Sequence, residues 1–392
     1  MKRTDRLKQA AEAYIDRKQF SGIEWHVEAK GNSLTSGRTG LADPVSEAQI
    51  PDDAIYRIYS MTKPIVSVMA LMLMEQGKLR LYDALAQFNP AFSNMRVLLP
   101  DGSLLPAVRP ILVEDLMTHR SGFTYEFITG CHIAPGYDAI DISADGKSSL
   151  GEMMAKLASQ PLAFQPGSQF RYSVSTDALA HVIEKASGRT IGSLLKEYIF
   201  EPLDMTDTDY YVPADKQARL MPMFGVSDIT KISALDPPTE QILNPANVEE
   251  MYPSTDKNFA RGGHGLYSTL MDYSKFARML LDGTSPQGDL LLSRKMLRMM
   301  TANRIPESQR PLKIGMNPLP GYGWGLGVRV MTDIGQSLGL TGNGEFGWAG
   351  AASTYFWVDP EEEMTGVIMT QYLGSVLPLA DDLRSAAYQM LP

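Results

Sequence analysis

Ala54-Ile55-Tyr56-Arg57-Ile58-Tyr59-Ser60-Met61-Thr62-Lys63-Pro64-Ile65-Val66-Ser67-Val68-Met69-Ala70-Leu71 runs from a strand-like segment straight into a long apolar helix. The pattern predicts that helix over 61–76, with Gly77 as its C-cap. Pro64 has no amide N–H and fits only within the first turn, which puts Ser60 at the helix N-terminus. Three residues further on, Lys63 falls on the same helix face as Ser60. A serine hydroxyl needs a base, and a desolvated lysine can serve as one. The helix N-terminus adds backbone N–H groups where an oxyanion would develop. A helix-capping serine is the alternative reading of the tetrapeptide alone. The same Ser-x-x-Lys spacing recurs at Ser193-Leu194-Leu195-Lys196 and Ser254-Thr255-Asp256-Lys257. Ser193 lies inside a helical pattern and Ser254 in a loop with no helix after it, so only Ser60 has the strand-to-helix setting.

Outward from this segment, residues 3–18 read as an amphipathic helix, and 23–29 and 33–39 as strands around the Gly31-Asn32 turn. Helical patterns at 112–119, 149–159, 174–187 and 190–199 alternate with irregular stretches, and 212–258 reads as a long proline-containing loop region. Helices follow at 269–282 and 293–301, then strands at 322–331, 346–358 and 364–371, and a helix at 378–390. Strands at both ends with helices between them predict one sheet built from both ends of the chain, carrying an inserted helical region.

The chain has 392 residues, a length that predicts about two or three domains. Its 36 Lys and Arg against 45 Asp and Glu leave a net charge of −9. Nucleic acid is therefore not expected as a partner, because phosphate binding needs a basic face. The first dozen residues are charged, with no apolar h-region, and the apolar run 64–74 is too short to span a bilayer, so a soluble cytoplasmic protein is expected. Cys131 is the single cysteine, which excludes an internal disulfide. Its neighbour His132 is no catalytic partner on adjacency alone. His26, His119, His132, His181 and His264 show no i, i+4 pair and no cluster, so neither metal nor cofactor is expected. Gly335-Gln336-Ser337-Leu338-Gly339 matches a nucleophile elbow, but no histidine lies beyond 264 to complete that triad. Gly342-Asn343-Gly344-Glu345-Phe346-Gly347 lacks a following helix and reads as a turn.

Five ordered segments carry a family resemblance. Ser60-Met61-Thr62-Lys63 with its helix resembles the nucleophile motif of class C β-lactamases and penicillin-binding proteins. Leu116-Met117-Thr118-His119-Arg120-Ser121-Gly122, Phe164-Gln165-Pro166-Gly167 with Tyr172-Ser173, Glu201-Pro202-Leu203-Asp204-Met205 and Gly262-Gly263 with Gly265-Leu266-Tyr267-Ser268-Thr269 resemble further segments of these proteins in the same order. Two positions depart from the pattern. The family's Tyr-x-Asn reads Tyr172-Ser173-Val174, and its Lys-Thr-Gly strand reads Trp348-Ala349-Gly350. Both departures are similar to the family VIII carboxylesterases.

The resemblance implies an α/β fold: an antiparallel sheet flanked by helices, with an inserted mainly helical domain and the site between the two. Residues 1–80 and 262–392 would form the first unit and 81–261 the second. It implies Ser60 as nucleophile, Lys63 as base partner, Tyr172 as proton relay to the leaving alkoxide, and the N–H groups of Ser60 and Ala351 as the oxyanion hole. Whether Lys63 or an ionised Tyr172 takes the serine proton stays open. Trp348, Gly350 and Val174 would contact substrate. The implied activity is hydrolysis of short-chain acyl esters, small molecules, without a cofactor or metal. A β-lactamase, a D-amino-acid peptidase, an acyltransferase and a catalytically silent homologue are the alternatives. Trp348 argues for esters, because an indole cannot meet the carboxylate of a β-lactam as a lysine does. The oligomeric state is not fixed by these residues.

Overall fold

Residues 5–143, 145–226 and 243–391 are described by the computed structural model. Strands β1 (Gly22–Ala29), β2 (Asn32–Gly40), β3 (Tyr322–Trp324), β4 (Arg329–Met331), β5 (Phe346–Ala349), β6 (Tyr355–Asp359) and β7 (Met364–Met369) form one seven-stranded sheet. Its order is β3-β4-β5-β6-β7-β1-β2, antiparallel throughout. The two chain ends meet at β1 and β7, where Trp25 pairs with Ile368 and Val27 with Gly366.

Both faces of the sheet are covered, which explains why its central strands lack a polar face. Tyr355, Trp357 and Ile368 point to one side and pack with Leu7, Ala11 and Leu383 of helices α1 (Arg6–Asp16) and α7 (Leu379–Tyr388). Phe356, Val358, Val367 and Met369 alternate to the other side, into the main core with Tyr273 and Phe276 of helix α5 (Leu270–Asp282). Helix α2 (Thr62–Glu75) is buried without a break from Thr62 to Leu73, as expected of a helix apolar on every side. It packs against α4 (Ser175–Ser187), which follows α3 (Leu150–Ala158) in the mainly helical region; α6 (Arg294–Thr301) follows α5. The β-lactamase and penicillin-binding-protein architecture read from the sequence is the one observed.

Several sequence expectations need correction. The single strand expected over 346–358 is a hairpin, β5 and β6, turning through 350–354. Ser353 adopts φ 65° in that turn, and a Cβ on Gly350 would lie 2.2 Å from Thr354 Oγ1 and 2.4 Å from the Ile58 carbonyl oxygen. The strand expected over 322–331 is likewise two, β3 and β4, turning at Gly327 with φ 91°. The strand-like 54–59 shrinks to Tyr56–Arg57, paired with Tyr267–Ser268. The helix expected over 190–199 is a short α-helix, Ile191–Leu195, passing into a π turn at Lys196–Phe200. In the 212–258 loop region, Phe224–Gly225 pairs with Tyr372–Leu373, and 227–242 lies outside the described residues.

Candidate active site

Ser60 sits in a single 3-10 turn, Tyr59–Met61, that feeds α2. Tyr59 precedes it with φ 42°, a left-handed conformation that L residues other than glycine rarely take. That kink re-aims the chain between the Tyr56–Arg57 strand and the helix, leaving Ser60 half-buried at the helix mouth. The sequence gives no sign of it, because Tyr59 is not a glycine.

Lys63 is 1% exposed, on the first turn of α2. Its Nζ lies 3.0 Å from Ser60 Oγ and donates to the Gly263 carbonyl oxygen at 2.7 Å. It also stands over the rings of Tyr172, 4.7 Å from the centroid, and Tyr125, at 5.2 Å. Burial in this aromatic and aliphatic surround lowers its pKa to about 7, with the Asp177 carboxylate opposing the fall. A lysine so placed has a neutral amine available near neutral pH.

The Tyr172 hydroxyl accepts a hydrogen bond from Trp348 Nε1 at 3.1 Å. Burial raises the phenol well above its ordinary value, and hydrogen bonds with Ser60 and Trp348 oppose that only in part. Tyr172 is enclosed by the rings of His119, Trp348 and Tyr125, at 4.8, 5.2 and 5.5 Å between centroids. His119 hydrogen-bonds Ser173 Oγ at 3.3 Å; burial first, then the Lys63 charge, keep its imidazole neutral. Trp324 completes the cage, 4.5 Å from the Trp348 ring and edge-on to it. Sequence reasoning passed over His119 and Trp324 as site residues, although both lie in segments it singled out.

Trp348, Gly350 and Ala351 are carried by the β5–β6 hairpin. Gly350 lies hard against Ile58, two residues before Ser60, and Ala351 and Tyr59 both pack against the small cluster of Met223, Val248, Ala352 and Leu373. A cleft of about 680 Å³ opens alongside Gly350 and Ala351. Phe127, Ile128, Ile314, Met316, Val376 and Leu377 contribute to its walls, and among the described residues no lining side chain is ionisable. Val174 differs from these: it is fully buried at the start of α4, its N–H bonded to the Thr124 carbonyl oxygen.

The other serines and the cysteine have local partners. Ser193 Oγ donates to the Thr190 carbonyl, Ser254 Oγ to Glu249, and Ser337 Oγ to the Gly339 carbonyl. The guanidinium of Arg171 contacts Cys131, and His132 bonds the Leu98 carbonyl. Asn343 and Gly344 form a turn ahead of β5, and Gly347 lies within that strand. Among the described residues no three His, Cys, Asp or Glu side chains converge as a metal site, and no helix is long and apolar enough to cross a membrane.

A serine and a lysine on one helix turn, faced by a tyrosine from a helical insertion and by a strand of an antiparallel sheet, define a serine hydrolase of the β-lactamase fold. The beta-lactamase family model matches residues 7–389, and the chain belongs to that family. Protein Rv1367c of Mycobacterium tuberculosis is 31% identical over 361 residues, 90% of this chain and 86% of that protein. Lovastatin esterase of Penicillium rubens is 29% identical over 400 residues, covering 95% and 93%. Among solved structures, EstCE1, described as a hydrolase with promiscuous acyltransferase activity, superposes with a TM-score of 0.81 at 20% identity, covering 98% of both chains. A family VIII carboxylesterase superposes at 0.74 with 18% identity, covering 99% of this chain and 98% of that one. At those identities the two structures speak to the fold.

Proposed function

We propose that this protein is a serine carboxylesterase acting on small, uncharged esters of short acyl groups. In this reading Ser60 Oγ attacks the ester carbonyl and Lys63, as the neutral amine, takes its proton. The N–H groups of Ser60 and Ala351 receive the oxyanion, and Tyr172 delivers a proton to the departing alkoxide. Water then attacks the acyl-enzyme, with the same groups exchanging roles. Burial favours the neutral form of both titrating groups, which supports lysine as base and tyrosine as acid over the reverse assignment. The 29% identity to lovastatin esterase supports an ester substrate. The division into 1–80 with 262–392 and 81–261 belongs to the same proposal; it is supported by a sheet drawn from both chain ends.

The observation that carries the reading is the hydrogen bond from Trp348 to Tyr172. It fixes an indole at the heart of the site, where recognition of a substrate carboxylate needs a cation. The uncharged walls of the adjoining cleft continue that preference. Trp348 and Gly350 then shape the substrate's seat, and Val174, expected to contact substrate, is fully buried and offers no amide. The test compares kcat/KM for p-nitrophenyl acetate and a chromogenic cephalosporin, with intact mass spectrometry for one acetyl group on Ser60. Ester cleavage faster than lactam cleavage is expected. Lactam cleavage equal or faster would replace the esterase with a β-lactamase.

A further inference from the structure

We propose that Asp177 is the positioning residue of the catalytic lysine, acting through the Gly262-Gly263 turn. This rests on the role of Lys63 proposed above. Asp177 is 0% exposed, in the first turn of α4. One carboxylate oxygen, Oδ1, accepts from the backbone N–H of both Gly262, at 3.0 Å, and Gly263, at 2.9 Å. The other, Oδ2, has no hydrogen-bond partner among the described residues. The turn held in this way presents the Gly263 carbonyl to Lys63 Nζ at 2.7 Å.

This geometry has a chemical consequence. A carbonyl oxygen only accepts, so Lys63 must spend one N–H on Gly263. A neutral amine held by that bond, with aromatic rings on its flanks, directs its lone pair along the remaining contact, to the Ser60 hydroxyl at 3.0 Å. Both glycines are required by the packing. A Cβ at Gly262 would lie 2.0 Å from the Thr176 carbonyl oxygen, and one at Gly263 would lie 2.5 Å from Asp177 Oδ2 and 2.7 Å from the Tyr125 hydroxyl.

The charge of Asp177 matters as well as its shape. Burial raises the Asp177 carboxyl above its ordinary value, while the Lys63 charge, the two glycine N–H donors and Arg261 favour the ionised carboxylate. The ionisable groups around Lys63 are Tyr172, Tyr125, His119, His264, Asp177 and, beyond Asp177, Arg261. Burial holds both tyrosines and both histidines in their neutral forms. The Arg261 guanidinium is tied to the Asp145 and Ser148 carbonyls. Asp177 thus supplies the negative charge that balances the ammonium formed when Lys63 takes the serine proton.

Asp177→Asn keeps an oxygen acceptor and the side-chain shape but removes the charge. Asp177→Ser shortens the side chain and loosens the turn as well. In Asp177→Asn the acid limb of the kcat/KM profile for p-nitrophenyl acetate should move to lower pH, because the charge that sustains the lysine's proton is gone. Its kcat should fall roughly ten- to hundredfold, the scale of losing one charge-assisted interaction. Asp177→Ser should lose more. A fluorophosphonate that fails to label Ser60 in the unaltered enzyme defeats the proposed function itself. Normal labelling with an unshifted acid limb and unchanged kcat in Asp177→Asn overturns this inference alone. So does failure of both variants to melt cooperatively, since the residue is then a packing element.

Discussion

The indole N–H of Trp348 donates to the phenolic oxygen of Tyr172 across 3.1 Å, joining residues 176 positions apart in the chain. One comes from the sheet and the other from the helical region. Removing the donor while keeping an aromatic ring isolates this contact. Trp348→Phe should lower kcat on p-nitrophenyl acetate about two- to tenfold, the net worth of one hydrogen bond. In the Tyr172→Phe background the same change should cost little, because the acceptor is already gone. Additive losses in that double-mutant cycle would sever the coupling.

Tyr172→Phe by itself should lower kcat by roughly 10²–10⁴-fold, the usual contribution of a positioned general acid. The ring cage of His119, Tyr125 and Trp348 remains available to it, so the melting temperature should change little. Near-normal turnover in the folded variant would remove Tyr172 from the proton path.

Ser60→Ala should abolish fluorophosphonate labelling, and Ser337→Ala should leave it intact. Ser337 already donates to the Gly339 carbonyl in its own turn. Retained labelling in Ser60→Ala would move the nucleophile elsewhere.

The lysine's depressed pKa fixes two pH dependences. Activity should rise as pH passes upward through about 7, where the amine loses its proton. Stability follows the same group with a definite sign. From about 7 to the ordinary lysine value of 10.5 the unfolded chain holds this proton and the folded one does not. Raising the pH across that window therefore stabilises the fold, by at most about 1.4 kcal/mol per pH unit. Lys63→Met should be inactive, and its unfolding free energy should lack this contribution. Parallel stability profiles for the two proteins between pH 7 and pH 9 would place the pKa of Lys63 outside the window.

Gly350→Ala tests the hairpin. Its methyl group would strike the Ile58 carbonyl and Thr354 Oγ1, displacing the turn that carries Ala351. The expected loss is about 10²–10³-fold in kcat, the scale of removing one oxyanion donor. Full activity would mean that the Ala351 N–H is not such a donor.

The helix that follows Ser60 was legible because its signals are local: Pro64 early, apolar residues on every face, Gly77 after it. The two-strand nature of 346–358 was not. With Tyr355 and Trp357 buried on one face of the sheet and Phe356 and Val358 on the other, the period-2 alternation that marks a strand disappears into one apolar run. The lysine and tyrosine could be read through resemblance to a family. Asp177 could not, since its partners Gly262 and Gly263 lie 85 and 86 residues away and nothing near Asp177 points to them. Tyr59 is the extreme case, a strained backbone held by tertiary packing around a residue type that gives no hint of it.

The meeting of β1 with β7 bears on how the protein is made. The backbone N–H of Arg57 donates to Gln371, 314 residues away, and Arg6 of α1 reaches Gln389 beyond α7. A ribosome delivers the Ser60 helix early and the β5–β6 hairpin late, so for most of its synthesis the growing polypeptide holds the proposed nucleophile without its proposed oxyanion partner. Such distant pairings form slowly. During that interval the first two strands expose an unpaired edge at β1, the edge that β7 will cover, and it is open to capture by a neighbouring nascent chain. With the roles proposed above, catalytic competence and protection from aggregation arrive together, when the segment from 346 to 369 emerges and docks.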